Sequence, residues 1–166
     1  MTKDRQYMRI CVNLAKQATK NGDFPFGSIV VLDNEIVGRG YNTAIAKKEV
    51  CLHAEILALI HAQKRLSRKK LSQCTIYSTV EPCPMCSFAI RELNIRRVVF
   101  GLRSPFMGGY SRWKILQDKK LNKILPEIFL EVPKIIPDVF KEGVVKGWEN
   151  WNKKSWDDFC EKGLFG

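Results

Sequence analysis

At 166 residues, with 45% apolar and 27% charged side chains, the chain is sized for a single globular domain that buries roughly 70% of its unfolded surface. No apolar run approaches the ~20 residues a membrane-spanning helix needs, and the opening "MTKDRQYMRI" lacks the apolar centre of a signal peptide. A cytoplasmic, reducing setting is expected, where six cysteines do not build a disulfide framework, while a net charge of +11 keeps a nucleic-acid partner open.

Residues 4–20 read as an amphipathic helix with Tyr7, Cys11, Leu14 and Ala18 on one face, ended by Asn21-Gly22. "FGSIVVLDNEIVGRGYN" reads as a β-hairpin, with Ile29–Leu32 and Ile36–Gly38 joined at Asp33-Asn34. A second helix is predicted over 52–66. The run "KRLSRKK" at 64–70 then reads as a solvated helix end or as an RNA-facing patch. Strand 74–80, helix 84–94 and strand 96–101 complete a β-α-β-α-β order, which places helices on a central sheet whose later strands are parallel. Beyond that, Pro126, Pro133 and Pro137 divide the chain into short pieces before a tryptophan-rich helix containing Trp148, Trp151, Trp156 and Phe159. That aromatic face is either core packing or a lid.

The chemistry begins with "VEPCPMC". Cys83 and Cys86 sit where a strand hands over to a helix, and Pro84 suits the first helical position. Residues three apart in a first turn share a face, and a helix N-terminus favours thiolates. An isolated Cys-x-x-Cys also permits redox chemistry, but His53 opens the other helix. If the two corners adjoin, His53, Cys83 and Cys86 make a three-ligand zinc site with one open position, as catalytic zinc requires. Zinc lowers the pKa of water in such a position toward ~7. His61 lies too far along its helix to share the ion. Cys11, Cys51, Cys74 and Cys160 read as small buried hydrophobes, with Cys51 the reserve candidate for a fourth ligand. Glu55 is the candidate proton carrier. Its bland alternative is a first-turn acid, and residues two apart on a helix diverge by about 200°, so spacing alone does not aim it at the metal.

His-x-Glu followed by Pro-Cys-x-x-Cys is a combination associated with zinc nucleobase deaminases. With "PFG" at 25–27, "GYN" at 40–42, "HAE" at 53–55, "EPCPMC" at 81–86 and "RRVVFG" at 96–101, residues 5–111 resemble the cytidine deaminase-like superfamily, in its guanine deaminase and tRNA adenosine deaminase branch. The resemblance implies a three-layer α/β/α fold with a central mixed sheet flanked by helices. It implies one domain over 1–166, with a core of about 5–111 and a divergent aromatic-rich extension over about 112–166. One Zn2+ per subunit would be held by His53, Cys83 and Cys86. Glu55 would shuttle protons while hydroxide attacks the amino-bearing carbon and ammonia leaves. Asn42, the Ala54 backbone N–H and Phe26 would contact the base; a turn role for Asn42 and core packing for Phe26 are the rivals. A homodimer is expected by the same analogy.

Three functions stay open. The first is deamination of a small-molecule base or nucleoside, a purine such as guanine or adenine, with no membrane involvement. The second is tRNA adenosine deamination, converting a wobble adenosine to inosine. The third is a zinc-stabilised binding module without catalysis, which would need a fourth protein ligand and has no use for Glu55.

Overall fold

The computed structural model describes residues 2–166. Helix α1 (Lys3–Lys20) opens on Thr2, whose hydroxyl oxygen accepts from the Arg5 backbone N–H, and ends where Asn21 and Gly22 turn the chain. Strands β1 (Gly27–Leu32) and β2 (Glu35–Tyr41) form the expected hairpin. Asp33 and Asn34 both take left-handed φ, +48° and +68°, the turn that matches the right-handed twist of paired strands. Strand β2 runs three residues further than predicted, because its glycines are contact points rather than breakers. A Cβ at Gly38 or Gly40 would lie 2.2 Å from the carbonyl oxygen of Ala58 or Ala54, so only glycine lets the next long helix lie this close to the strand.

A short helix, α2 (Ala44–Lys47), precedes that long one, α3 (Ala54–Leu66), and was not anticipated. Then follow β3 (Thr75–Val80), α4 (Pro84–Glu92), β4 (Arg97–Leu102), α5 (Lys119–Ile124), β5 (Lys134–Ile136) and α6 (Lys141–Glu161), the last interrupted by non-helical backbone at Asn152. The sheet order is β2-β1-β3-β4-β5; β1 runs antiparallel to both neighbours and β3, β4 and β5 are parallel. Alternation along the strands feeds two cores. Ile29, Val31, Tyr77 and Val99 pack with α1 and with Val144 and Trp148 of α6. Val30, Ile76, Val98 and Phe100 pack on the other face with Ala58 and Leu59 of α3 and Ile90 of α4. This is the three-layer α/β/α architecture with a mixed sheet.

Residues 112–166, the hardest part of the sequence to read, supply an edge strand and half of one helical layer. Arg91 fastens the first part of this segment. Fully buried, it donates to the carbonyls of Ile115 and Asp118 and to Asn122 Oδ1. The basic run 64–70 is partly absorbed by the fold: Arg65 donates to the Ile36 carbonyl, and Lys70 to those of Glu92 and Ile128. It lies at the far end of α3, about 18 Å from His53 at 1.5 Å per helical residue. Of the four cysteines read as buried, Cys11 and Cys74 are, whereas Cys51 and Cys160 are exposed. Cys51 stands in the loop before α3 and Cys160 on the outer side of α6, where no core reaches them. Among the described residues, no helix is long and apolar enough to cross a membrane.

Candidate metal centre and active site

The two strand-to-helix corners meet, and the reason lies in the caps. His53 is the N-cap residue of α3, with extended backbone (φ −74°, ψ 153°), and Cys83 is the N-cap of α4 (φ −66°, ψ 172°) with Pro84 at the first helical position. Because His53 stands outside the helix, the 200° divergence between it and Glu55 does not apply, and both side chains reach the same space. His53 Nδ1 lies 3.6 Å from Cys83 Sγ and 3.6 Å from Cys86 Sγ, and the three donor atoms fall within 4.8 Å of one another. A tetrahedral ion with Zn–S of about 2.3 Å and Zn–N of about 2.0–2.1 Å would set nitrogen and sulfur about 3.5–3.6 Å apart. The donor set fits zinc. Cys51, the reserve ligand, is exposed and outside this group.

The electrostatics favour metal capture. The Cys83 thiol is pushed down to about 4, chiefly because Cys86 donates its S–H to it, with further help from His53. The same hydrogen bond, together with burial, drives Cys86 upward. His53 is raised through its hydrogen bond to Cys83. One thiolate therefore waits beside an imidazole at a helix N-terminus.

Glu55 is 5% exposed. Its Oε1 accepts from Ser78 Oγ at 2.8 Å, and its Oε2 faces the Cys86 thiol at 3.7 Å. Burial raises its pKa above the ordinary carboxylate range, and the Cys83 charge adds to this. A buried carboxyl that readily takes a proton and stands over the metal-ligand cluster is equipped as a proton carrier.

These groups open into a cavity of about 370 Å³, the size range of small-molecule sites. Phe26 and Asn42 line it, as the sequence suggests. The choice between packing and lining for Phe26 dissolves, since its ring also stands edge-on against Trp148 at 5.4 Å. Ala54 is fully buried as the first residue of α3 and is not among the cavity-lining residues. Asn42 hydrogen-bonds through its amide nitrogen to Asp23 Oδ1 at 2.6 Å, and Asp23, wholly buried, also accepts the backbone N–H groups of Ile45 and Ala46. The chain's own end supplies part of the cavity wall: Trp148, Phe159, Leu164 and Phe165 line it. The tail is tied down by Ser104 Oγ donating to the Leu164 carbonyl (2.9 Å) and Gly166 N donating to the Arg103 carbonyl (3.2 Å).

Sequence reasoning missed Glu81 and Asp23. The Glu81 carboxylate, buried beside the metal ligands, accepts from the backbone N–H groups of Ser104, Tyr110 and Ser111 and from Ser111 Oγ. It folds the 104–111 loop, which carries Ser104 and Met107 to the cavity, and Gly108 sits where a Cβ would lie 1.9 Å from its Oε1. The available signal was the acid at the head of "EPCPMC" together with the distant "GGYS". Glu81→Gln leaves one acceptor oxygen for these donors and is expected to cost about 1–3 kcal/mol of stability, measurable by denaturant unfolding. An unchanged midpoint would contradict the role.

Comparison with known proteins agrees with this site. Residues 1–102 match the family model of the cytidine and deoxycytidylate deaminase zinc-binding region. A tRNA-specific adenosine deaminase of Bacillus subtilis is 36% identical over 124 residues, 74% of this chain and 76% of that protein. Among solved structures, a tRNA:A34 deaminase superposes with a TM-score of 0.76 at 24% identity, covering 86% of this chain and 98% of its own. A guanine deaminase from Nitrosomonas europaea superposes at 0.72 and 19% identity, covering 92% and 86%.

Proposed function

This chain belongs to the cytidine and deoxycytidylate deaminase zinc-binding family and is a zinc-dependent hydrolytic deaminase, and on that premise we propose that it deaminates a free amino-substituted nucleobase or nucleoside, a purine such as guanine or adenine. The observation that carries the substrate class is the apolar wall. The cavity is lined by Phe159, Leu164 and Phe165 of the same chain together with Phe24, Phe26 and Trp148, which suits a small flat heterocycle. The basic run 64–70 lies at the other end of α3 and does not frame the cavity mouth.

In this proposal His53, Cys83 and Cys86 hold the metal and Glu55 moves the protons. Bound zinc supplies Lewis acidity that brings the pKa of water toward ~7. Glu55 Oε1 stays anchored on Ser78, while Oε2 faces the Cys86 sulfur. With Cys86 ionised, its sulfur has no proton to offer Oε2, and that oxygen is free to take a proton from the attacking water. It then delivers that proton to the ring nitrogen beside the amino-bearing carbon, takes a second from the hydroxyl now on that carbon, and gives it to the departing amine. Water and the amino-heterocycle give the oxo-heterocycle and ammonia. Phe26 offers an aromatic face to the ring, Asn42 a polar contact, and the Ala54 N–H stands at the first turn of α3.

The whole chain, 1–166, acts as one domain in this reading, supported by β5 pairing on β4 and by Trp148 in the core. Exposed Ile45, Val50 and Met107 at the cavity support a homodimer, and six unpaired cysteines support a cytoplasmic setting. A second reading, tRNA adenosine deamination, is favoured by the Bacillus subtilis relative and by the net charge of +11.

An ammonia-release screen over adenine, guanine, cytosine, their nucleosides and tRNA decides between the two. Turnover of a free base or nucleoside that is indifferent to salt is expected. Turnover of tRNA alone, falling about 10³–10⁵-fold in affinity between 50 and 200 mM salt as several phosphate contacts are lost, would establish the second reading instead.

A further inference from the structure

Glu55 stands beside the metal ligands without being one of them. Its Oε2 comes within 3.7 Å of the Cys86 sulfur, yet its carboxylate does not join the donor atoms of His53, Cys83 and Cys86, which lie within 4.8 Å of one another. A carboxylate oxygen is an ordinary zinc ligand, and a zinc site closed by four protein ligands is structural rather than catalytic. A buried anion next to a three-ligand cation is drawn toward its open position, so a contact that holds it back is required. Ser78 makes that contact. It is wholly buried on β3, two residues beyond Ile76, which packs in one core with Ala58 and Leu59 of α3. By alternation the Ser78 hydroxyl faces the same helix, and it donates to Glu55 Oε1 at 2.8 Å. Ser78 is paired with Ser28 of β1 on one side and Phe100 of β4 on the other, so the sheet fixes the position of its hydroxyl. Ser28 gives its own proton to the Tyr77 carbonyl at 2.7 Å and does not compete for the carboxylate.

We propose that Ser78 is a positioning residue that holds Glu55 off the metal and so keeps the fourth coordination position open. Its hydroxyl tethers Oε1 to the central strand of the sheet, which leaves Oε2 as the working oxygen and prevents the carboxylate from swinging into the ligand set. The same three ligands and the same glutamate, without this hydrogen bond, make a closed site. Ser78 thereby separates a proton carrier from a fourth ligand. The inference rests on the reading above in which Glu55 moves the protons, and it assigns to β3 the contact on which that role depends.

The test is the zinc affinity of the full chain, measured by competition with a chromophoric chelator, for the unsubstituted protein, Ser78→Ala, Ser78→Thr, Glu55→Ala and the double variant Ser78→Ala with Glu55→Ala. In Ser78→Ala the carboxylate loses its donor and is expected to close on the ion, tightening zinc binding about tenfold, the equivalent of the one buried hydrogen bond that opposed it. With Glu55→Ala in the background no carboxylate is left to close, and the same Ser78 substitution should change affinity by less than about twofold. Ammonia release by zinc-loaded Ser78→Ala should fall about tenfold or more in kcat with KM within about twofold, because the proton carrier is misplaced while the substrate contacts stand. Ser78→Thr keeps the hydroxyl and should restore both kcat and zinc affinity. Zinc binding that is unchanged or weaker in Ser78→Ala, or that tightens equally without Glu55, overturns the proposal. Should Ser78→Ala fail to fold, a crystal structure of the zinc-loaded unsubstituted protein decides: the carboxylate is expected on Ser78, and a Glu55 oxygen within about 2.2 Å of the ion overturns the proposal. Turnover that survives Glu55→Ala removes the proton-carrier reading and this inference with it, whereas Glu55-dependent turnover without the effect on zinc removes only this inference.

Discussion

Glu55→Gln should retain its zinc and lose about 10²–10⁴ in kcat, the range a positioned acid–base group contributes. The substitution is nearly isosteric and keeps an oxygen for the Ser78 hydroxyl, so the α3 corner and the metal ligands have no cause to move. What it removes is an atom that can take two protons in turn, one from water and one from the hydroxyl left on the carbon, and pass each on. The pH dependence follows from the burial of the same carboxyl. Glu55 must be ionised to accept the first proton, and its pKa is raised by burial. Activity is therefore lost as pH falls through a value above the ordinary carboxylate range, and the acid limb of kcat/KM lies higher than a solvent-exposed glutamate would place it. In Glu55→Gln that limb should vanish along with the rate. Metal analysis and a pH–rate profile of both proteins check this, and a variant with full zinc and near-normal turnover would remove Glu55 from the chemistry.

The chemistry of this site was more legible in the sequence than its walls, for a physical reason. His53, Glu55, Cys83 and Cys86 belong to two short motifs, and each motif coincides with a helix start, so local geometry largely fixes where the side chains go. Even there the naive helical angle misled, because an N-cap residue is not on the helix it begins. The walls are made by long-range packing. Asp23 supports Asn42 from 19 residues away, and Glu81 gathers donors 23 to 30 residues on. Asp23 has no local pattern that distinguishes it from a surface acid, and Glu81 has only its place at the head of "EPCPMC". Gly38 and Gly40 looked like the end of a strand, and only the approach of α3 shows them to be its interior. The tryptophans of α6 presented a choice between core and lid that composition could not resolve. Trp148 is both, buried in the core beneath the sheet and lining the cavity.

The second large effect concerns the metal ligands. Cys86→Ser should lower zinc affinity by more than the ~10–100-fold typical of a lost outer-shell partner, and abolish turnover. Stability should fall as well. At zinc 100-fold above its dissociation constant the ion contributes about 2.7 kcal/mol to the folded state, and that contribution goes with the metal. The ion-free site predicts how loading responds to pH. Cys83, lowered to about 4, is a thiolate at neutral pH, whereas Cys86 is held protonated by its hydrogen bond to Cys83, and the His53 pKa is raised by its own hydrogen bond to the same sulfur. Zinc requires both thiolates and a neutral imidazole, so the loaded site binds fewer protons than the empty one. By linkage, affinity must rise with pH and weaken on acidification, over the range where Cys86 and His53 keep their protons when no ion is present. Calorimetric titration of zinc in buffers of different ionisation enthalpy should therefore report between one and two protons released per ion near neutral pH. In Cys86→Ser the proton owed to that thiol should be absent from the count. Loading that releases no proton, and is as tight at pH 5 as at pH 8, would mean that the ion is bound by some other set of groups than this triad.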